Sequence, residues 1–250
     1  VRYFLRLAFD GRPFHGWQAQ PNAPTVQQRL EESLSVLLKS PVETMGCGRT
    51  DTGVHAAEFY AHFDPEYSVP DPDRFLRSLN ALLPPEIAVY ELIPVAPDAH
   101  ARFDATSRTY EYRVTARKDP FLREHALFFP YPLDVERMNA AAALLLKQED
   151  FACFTKTGGN SNGTHCRVTQ AQWSQLEDRL VFTVTANRFL RNMVRAMVGT
   201  LLETGEGKCS LEQFESILSS GNRSDAGISV PAHGLSLVRV EYPFIHPSHG

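Results

Sequence analysis

Cysteine is scarce in this sequence: Cys47, Cys153, Cys166 and Cys209 are the only four, and none stands within C-x-x-C reach of another. That spacing offers no zinc site and no disulfide framework, so a reducing cytoplasm is the expected compartment. Long apolar runs are also missing. No stretch approaches the roughly 18 apolar residues of a membrane span, and the chain reads as soluble, with no membrane partner. The third shortage is charge of one sign. Twenty-five Lys+Arg against 29 Asp+Glu give a net charge of -4, which excludes a uniformly basic coat for nucleic acid but leaves room for a local basic cleft. No solenoid-length repeat appears.

What is present suits a folded globular protein: 250 residues, 43% hydrophobic, enough for one large core or two modest ones. "RYFLRLAFD" sets Tyr3, Leu5, Leu7 and Phe9 against Arg2, Phe4, Arg6 and Ala8, the period of a strand with one buried face. "TVQQRLEESLSVLLK" carries Val26, Leu30, Leu34, Leu37 and Leu38 on one helical stripe, with Thr25 and Gln28 spaced as a capping box. "VETMGCG" and "EFYAHF" read as strands, "DPDRFLRSLNALL" as a helix capped by Asp71 with Pro72 in its first turn, and "EIAVYELIPV" as a strand.

The second half echoes that order. "ARFDATSRTYEYRVTAR" is a strand with Tyr110, Tyr112 and Val114 on one face. A helix in "DVERMNAAAALLLK", strands at "TQAQWSQLE" and "RLVFTVTAN", a long helix in "RFLRNMVRAMVGTLLETG", a capped helix in "SLEQFESILSSG" and a strand in "GLSLVRVEY" follow. In the long helix, Arg191, Arg195 and Gly199 form a row between two apolar rows that begin at Phe189 and Leu190. The class is α+β, resembling two ferredoxin-like halves, with a boundary near residue 104 that gives units 1–104 and 105–250. "KTGGNSNGTHC" reads as a mobile loop.

Chemistry concentrates in "GCGRTDTGVHA", residues 46–56: Arg49, Asp51 and His55 among Gly46, Gly48 and Gly53. Glycine allows positive φ and close backbone approach, so such a loop can fold tightly around a ligand. Arg49 near Asp51 favours the ionised carboxylate, the form able to attack carbon or accept a proton. The competing reading is plain turn chemistry, with Thr50 and Asp51 organising a bend beside glycine. His55 follows Asp51 by four residues; local hydrogen bonding is the simpler role for it than a dyad. His15 in "FHGWQ" is a candidate RNA contact, while Trp17 beside it reads equally as core packing.

"GRTDTGVHA" resembles the signature loop of the TruA-type tRNA pseudouridine synthases, and further segments match in the same order: "RYFLRLAFDGRPFHGWQAQPN", "TVQQRLEESL", "ARFDATSRTYEYRV", "ANRFLRNMVRAMVGTLLETG" and "VPAHGLSLVRVEY". The likeness spans nearly the whole chain. It implies a pseudouridine synthase fold with mainly antiparallel sheets flanked by helices, the C-terminal half completing the active-site cleft. It also implies an isomerase that turns uridine into pseudouridine in the tRNA anticodon arm, at positions 38, 39 and 40, as a homodimer with no cofactor and no metal. Asp51 stands at the family's catalytic aspartate, with Arg49, Tyr110 and Arg195 at its supporting positions.

In that chemistry the carboxylate adds to uracil C6, attacks ribose C1′ or deprotonates the ribose, and the sequence leaves all three routes open. Tyr110 offers a ring face and a phenol to relay the C5 proton; the plain alternative is a half-buried strand tyrosine. Arg195 would hold Asp51 ionised or grip a phosphate, where an ordinary helix arginine would reach to solvent. A uridine in a stem must leave its stack, at a cost of a few kcal/mol. Arg12, Arg49, Arg102, Arg108, Arg113 and Arg188, with Lys156, are candidate phosphate contacts that offset this cost; the plain alternative for each is a solvated surface charge. Cys47 replaces the family's usual alanine and should leave the reaction unaltered. The rival functions are a catalytically silent RNA-binding module and a glycosidase-like hydrolase; tritium release from uracil C5 argues against the first, free uracil for the second.

Overall fold

The structure is a computed structural model, and it describes residues 1–155, 163–176 and 178–245. The chain divides into two compact units: Val1–Thr106 with the chain from Leu237 onward, and Ser107–Ser236. It is a mixed α/β fold with mostly antiparallel strand pairing and five α-helices among the described residues.

In the first unit the strands β1 (Arg2–Phe9), β2 (Met45–Gly46), β3 (His55–Phe63) and β4 (Ile87–Val95) alternate with helices α1 (Val26–Leu38) and α2 (Pro72–Leu82). The strand order is β4, β1, β3, with β2 paired to the end of β3 and the final strand β9 (Leu235–Glu241) also beside β3. β1 is antiparallel to both neighbours, with Leu5 opposite Ala61 and Leu92. Its alternation holds for Leu5 and Leu7, but Phe4 on the other face is fully buried too. Phe4 stacks on His62 and meets the edges of Tyr242 and Phe244, so aromatic side chains cover the face that the pattern assigns to solvent. The strand expected over "VETMGCG" shrinks to two residues, because beyond Gly46 the chain turns into the Asp51 loop.

Helix starts follow their capping chemistry. Thr25 accepts from Gln28 N, Asp71 accepts from Arg74 N, and Ser210 and Gln213 close a reciprocal box. The edge strand β4 keeps its outward backbone groups satisfied through a helix side chain: Asn80 on α2 donates to Val89 O at 2.7 Å and accepts from Val89 N at 2.8 Å.

The second unit contains β5 (Ser107–Thr115), β6 (Leu127–Phe128), β7 (Val168–Leu176) and β8 (Arg179–Ala186), with α3 (Val135–Leu145), α4 (Met193–Gly205) and α5 (Leu211–Ser220). β8 lies between β5 and β7, antiparallel to both, and the short β6, absent from the sequence reading, runs parallel to β5. The edge is treated as in the first unit: Asn139 on α3 exchanges two hydrogen bonds with the Trp173 backbone on β7. α4 starts later than its apolar rows imply. Asn192 takes a left-handed φ of 66°, which a helix interior does not tolerate, so Phe189 and Arg191 fall in the turn before the helix.

One buried titratable group gives the first unit a pH signature. His62 is 7% exposed, and its Nδ1 accepts from Ala101 N at 3.0 Å. Burial, with Arg2 and His100 acting the same way, lowers its pKa to about 4 against the opposing pull of Asp64 and Asp104. The neutral ring is therefore the folded form. Above the ordinary histidine range both folded and unfolded chains are neutral there and the stability is complete; as pH falls from about 6.5 to about 4 only the unfolded chain gains the proton. Stability should drop by about 1–3 kcal/mol across that window, and His100, shifted the same way by burial, adds to it. Urea denaturation at pH 7 and pH 4.5 reads the loss, and His62→Gln should flatten it.

Candidate active site

The Asp51 loop leaves β2 at Gly46 and re-enters the sheet at His55. A glycine stands at each end, for a different reason. A Cβ on Gly46 would lie 2.6 Å from the Trp17 indole, which stacks on Phe59 at 4.3 Å between centroids. Trp17 is thus core packing, as one of its two sequence readings had it. At the other end Gly53 adopts φ 78° and donates to Phe14 O at 3.3 Å, while Val54 N donates to Asp51 O at 3.1 Å.

A second loop, residues 10–17, lies against the first. A Cβ on Gly11 would stand 2.0 Å from Val54 O, and one on Gly16, at φ 85°, 2.3 Å from Thr50 O. These two glycines set the height of the Asp51 backbone, and sequence reasoning did not single them out. Their signal was present in "FDGRPFHGW", but the chain they press against is remote in sequence. His55 serves the same seam: it is buried, begins β3, and its Nδ1 lies 3.2 Å from Gly11 N, which donates to it, and 3.2 Å from Asp10 Oδ1. These contacts tie the start of β3 to the 10–17 loop.

Asp51 is half-buried and Arg49 exposed. Of the first-unit candidates for RNA contact, His15 is exposed on the 10–17 loop. Arg12 on that loop grips Asp10, Nε to Oδ2 at 2.8 Å; burial raises the Asp10 carboxyl but the Arg12 hydrogen bonds outweigh it and hold it below the usual range. Arg102 lies elsewhere, on the turn anchored to His62, about 23 Å along β3 from His55. Its guanidinium covers Phe103 at 5.6 Å.

In the second unit Tyr110 and Tyr112 share one face of β5. Tyr110 is half-buried, opposite Val184, and meets Phe189 edge-on at 5.1 Å. Tyr112 is fully buried, its hydroxyl donates to Pro231 O at 2.9 Å, and burial pushes its pKa up. Arg108 donates to Asn187 O at 2.8 Å, beside Arg188, so Arg108, Tyr110 and Arg188 gather at the turn before α4. Arg195 stands in the first turn of α4, half-buried and clamped by one residue: its Nε donates to Val230 O at 2.7 Å, and its own carbonyl accepts from Val230 N at 3.2 Å. The 223–231 segment that supplies Val230 is bound tightly to α4. Gly227 N donates to Thr200 Oγ1, and a Cβ on Gly199 would stand 1.8 Å from Ile228 O. Arg113 pairs with Glu111 at 2.9 Å, and Lys156 lies outside the described residues.

Among the described residues no three His, Cys, Asp or Glu side chains group as metal ligands, and no helix is long and apolar enough to cross a membrane. What the two units offer is a fixed carboxylate loop in one, and in the other a half-buried tyrosine with an arginine oriented by backbone.

Comparison with known proteins defines the class. A family model described as tRNA pseudouridine synthase matches residues 141–243, a span that holds Arg188 and Arg195. Curated proteins called tRNA pseudouridine synthase A match nearly end to end. The one from Parabacteroides distasonis is 50% identical over 242 residues, 97% of this chain and 96% of its own length. That from Porphyromonas gingivalis is 50% identical over 246 residues, 97% and 98%. That from Halalkalibacterium halodurans is 42% identical over 237 residues, 94% and 90%. The chain belongs to the tRNA pseudouridine synthase A family, a family of isomerases.

Proposed function

We propose that this protein converts uridine to pseudouridine in the anticodon stem-loop of tRNA, at positions 38, 39 and 40, with the Asp51 carboxylate as the essential group. Family membership supports the reaction. The observation that carries the residue assignment is the pair of glycine contacts, Gly11 on Val54 O and Gly16 on Thr50 O, that hold the Asp51 backbone in one place. Fixing the backbone narrows the positions open to the carboxylate before the substrate arrives.

The reaction is an isomerisation. The bond from ribose C1′ to uracil N1 breaks, the ring turns, C1′ joins C5, and the proton displaced from C5 leaves while N1 gains one. No oxidant or group donor is consumed. Asp51 acts as nucleophile or base at the first step. Tyr110, whose ring is set edge-on to Phe189, takes the C5 proton, and Arg195 supplies positive charge to the reacting nucleotide. Arg49, Arg108 and Arg188 meet phosphates and offset the few kcal/mol of unstacking. The ferredoxin-like reading of the first unit rests on its order β1, α1, β2, β3, α2, β4, with β4, β1, β3 and β2 as antiparallel neighbours.

Purified protein with an unmodified tRNA transcript, followed by carbodiimide mapping of pseudouridine, tests the assignment. Product confined to 38–40 supports it, and product elsewhere in the tRNA refutes the positions. The working unit is a homodimer: Phe121, 90% exposed, and Tyr131, 61% exposed, sit in the 116–131 segment as apolar surface for a second copy. Sedimentation should give twice the 28.0 kDa chain mass, and a Phe121→Glu variant should shift it towards one.

A further inference from the structure

Thr50, between Arg49 and Asp51, is 8% exposed, and among the described residues its Oγ1 is buried without a hydrogen-bond partner. A hydroxyl shut away from water with nothing to bond to is unfavourable, and valine would fill the same shape without that penalty. Its place in the loop matters. Downstream the chain is pinned, by Thr50 O against Gly16, by Val54 N on Asp51 O and by Gly53 N on Phe14 O. Upstream the chain is held as far as Cys47, whose N donates to Tyr60 O at 2.7 Å; the 48–49 stretch between is the loose half, where a Cβ on Gly48 would meet nothing within 4 Å and Arg49 is exposed. Thr50 is the joint between the two halves.

We propose that Thr50 is a positioning residue whose hydroxyl acquires its hydrogen bond only when RNA is bound. An exposed guanidinium is the handle that an RNA phosphate takes. Drawing Arg49 outward turns the loose half of the loop about the pinned half, and the Thr50 hydroxyl then donates within the loop and fixes the direction of the Asp51 side chain. This rests on the assignment of Asp51 as the essential carboxylate.

The test compares wild type, Thr50→Val, Thr50→Ser and Asp51→Asn by thermal midpoint of the free protein, tRNA affinity, and single-turnover tritium release from C5-labelled tRNA. Thr50→Val should melt no lower than wild type, bind tRNA within about threefold, and react about tenfold or more slowly; Thr50→Ser should recover the rate to within about threefold. A wild-type rate for Thr50→Val overturns the proposal. So does a melting point several degrees lower, because the hydroxyl would then be bonded in the free protein, and so does failure of serine to restore the rate. If Asp51→Asn releases tritium normally, the catalytic assignment falls and takes this one with it; an inactive Asp51→Asn beside a fully active Thr50→Val overturns the role of Thr50 alone.

Discussion

Asp51→Asn protein should fold, bind tRNA and make no measurable pseudouridine, a loss of at least about 10³-fold in rate. The substitution keeps the size of the side chain and removes only its charge and nucleophilic oxygen. The turn survives because its hydrogen bond runs from Val54 N to the Asp51 carbonyl, not to the carboxylate. Whichever of the three routes applies, each begins with an anionic oxygen acting on the nucleoside, and an amide cannot replace it. Tyr110→Phe belongs in the same nucleoside analysis. It keeps the ring against Phe189 and loses the phenol, so product should still form, more slowly by about 10- to 100-fold if that phenol takes the proton.

Gly16→Ala should cost the fold about 2–5 kcal/mol and lower activity with it. Two independent terms add. Alanine must hold φ 85°, a region it disfavours, and its Cβ would be 2.3 Å from Thr50 O, a backbone atom with no flexible end to swing aside. Relief requires the Asp51 loop to move, so the carboxylate moves too. Gly48→Ala is the control within the same loop: no steric contact awaits its Cβ, and stability should stay near wild type. Chemical denaturation of both variants measures the contrast, and equal stability for Gly16→Ala and wild type would remove the proposed cradle.

The comparison of those glycines shows how far the sequence reaches. Three glycines around one aspartate marked a special loop, but only Gly53 needs its positive φ, Gly46 is there to admit the Trp17 ring, and Gly48 meets neither demand. Periodicity located the strands and helices because most of them bury one face. It failed where burial came from elsewhere: Phe4 lies under aromatic residues from the chain's last segment, and Phe189 leaves the helical row for Tyr110. Arg195 could be named from resemblance, yet its clamp by Val230 follows from a segment 35 positions away. The glycines at 11 and 16 were in view from the start, and what they touch was not, since steric need is a property of pairs of distant residues.

The most direct test of the whole account is one assay on tRNA labelled with tritium at uracil C5, with wild-type and Asp51→Asn protein side by side and both tritium and free uracil counted. Wild type should release one tritium for each pseudouridine formed and no uracil, while Asp51→Asn releases neither. Tritium release by the variant at the wild-type rate, or uracil accumulating with wild type, would contradict an isomerisation carried by Asp51.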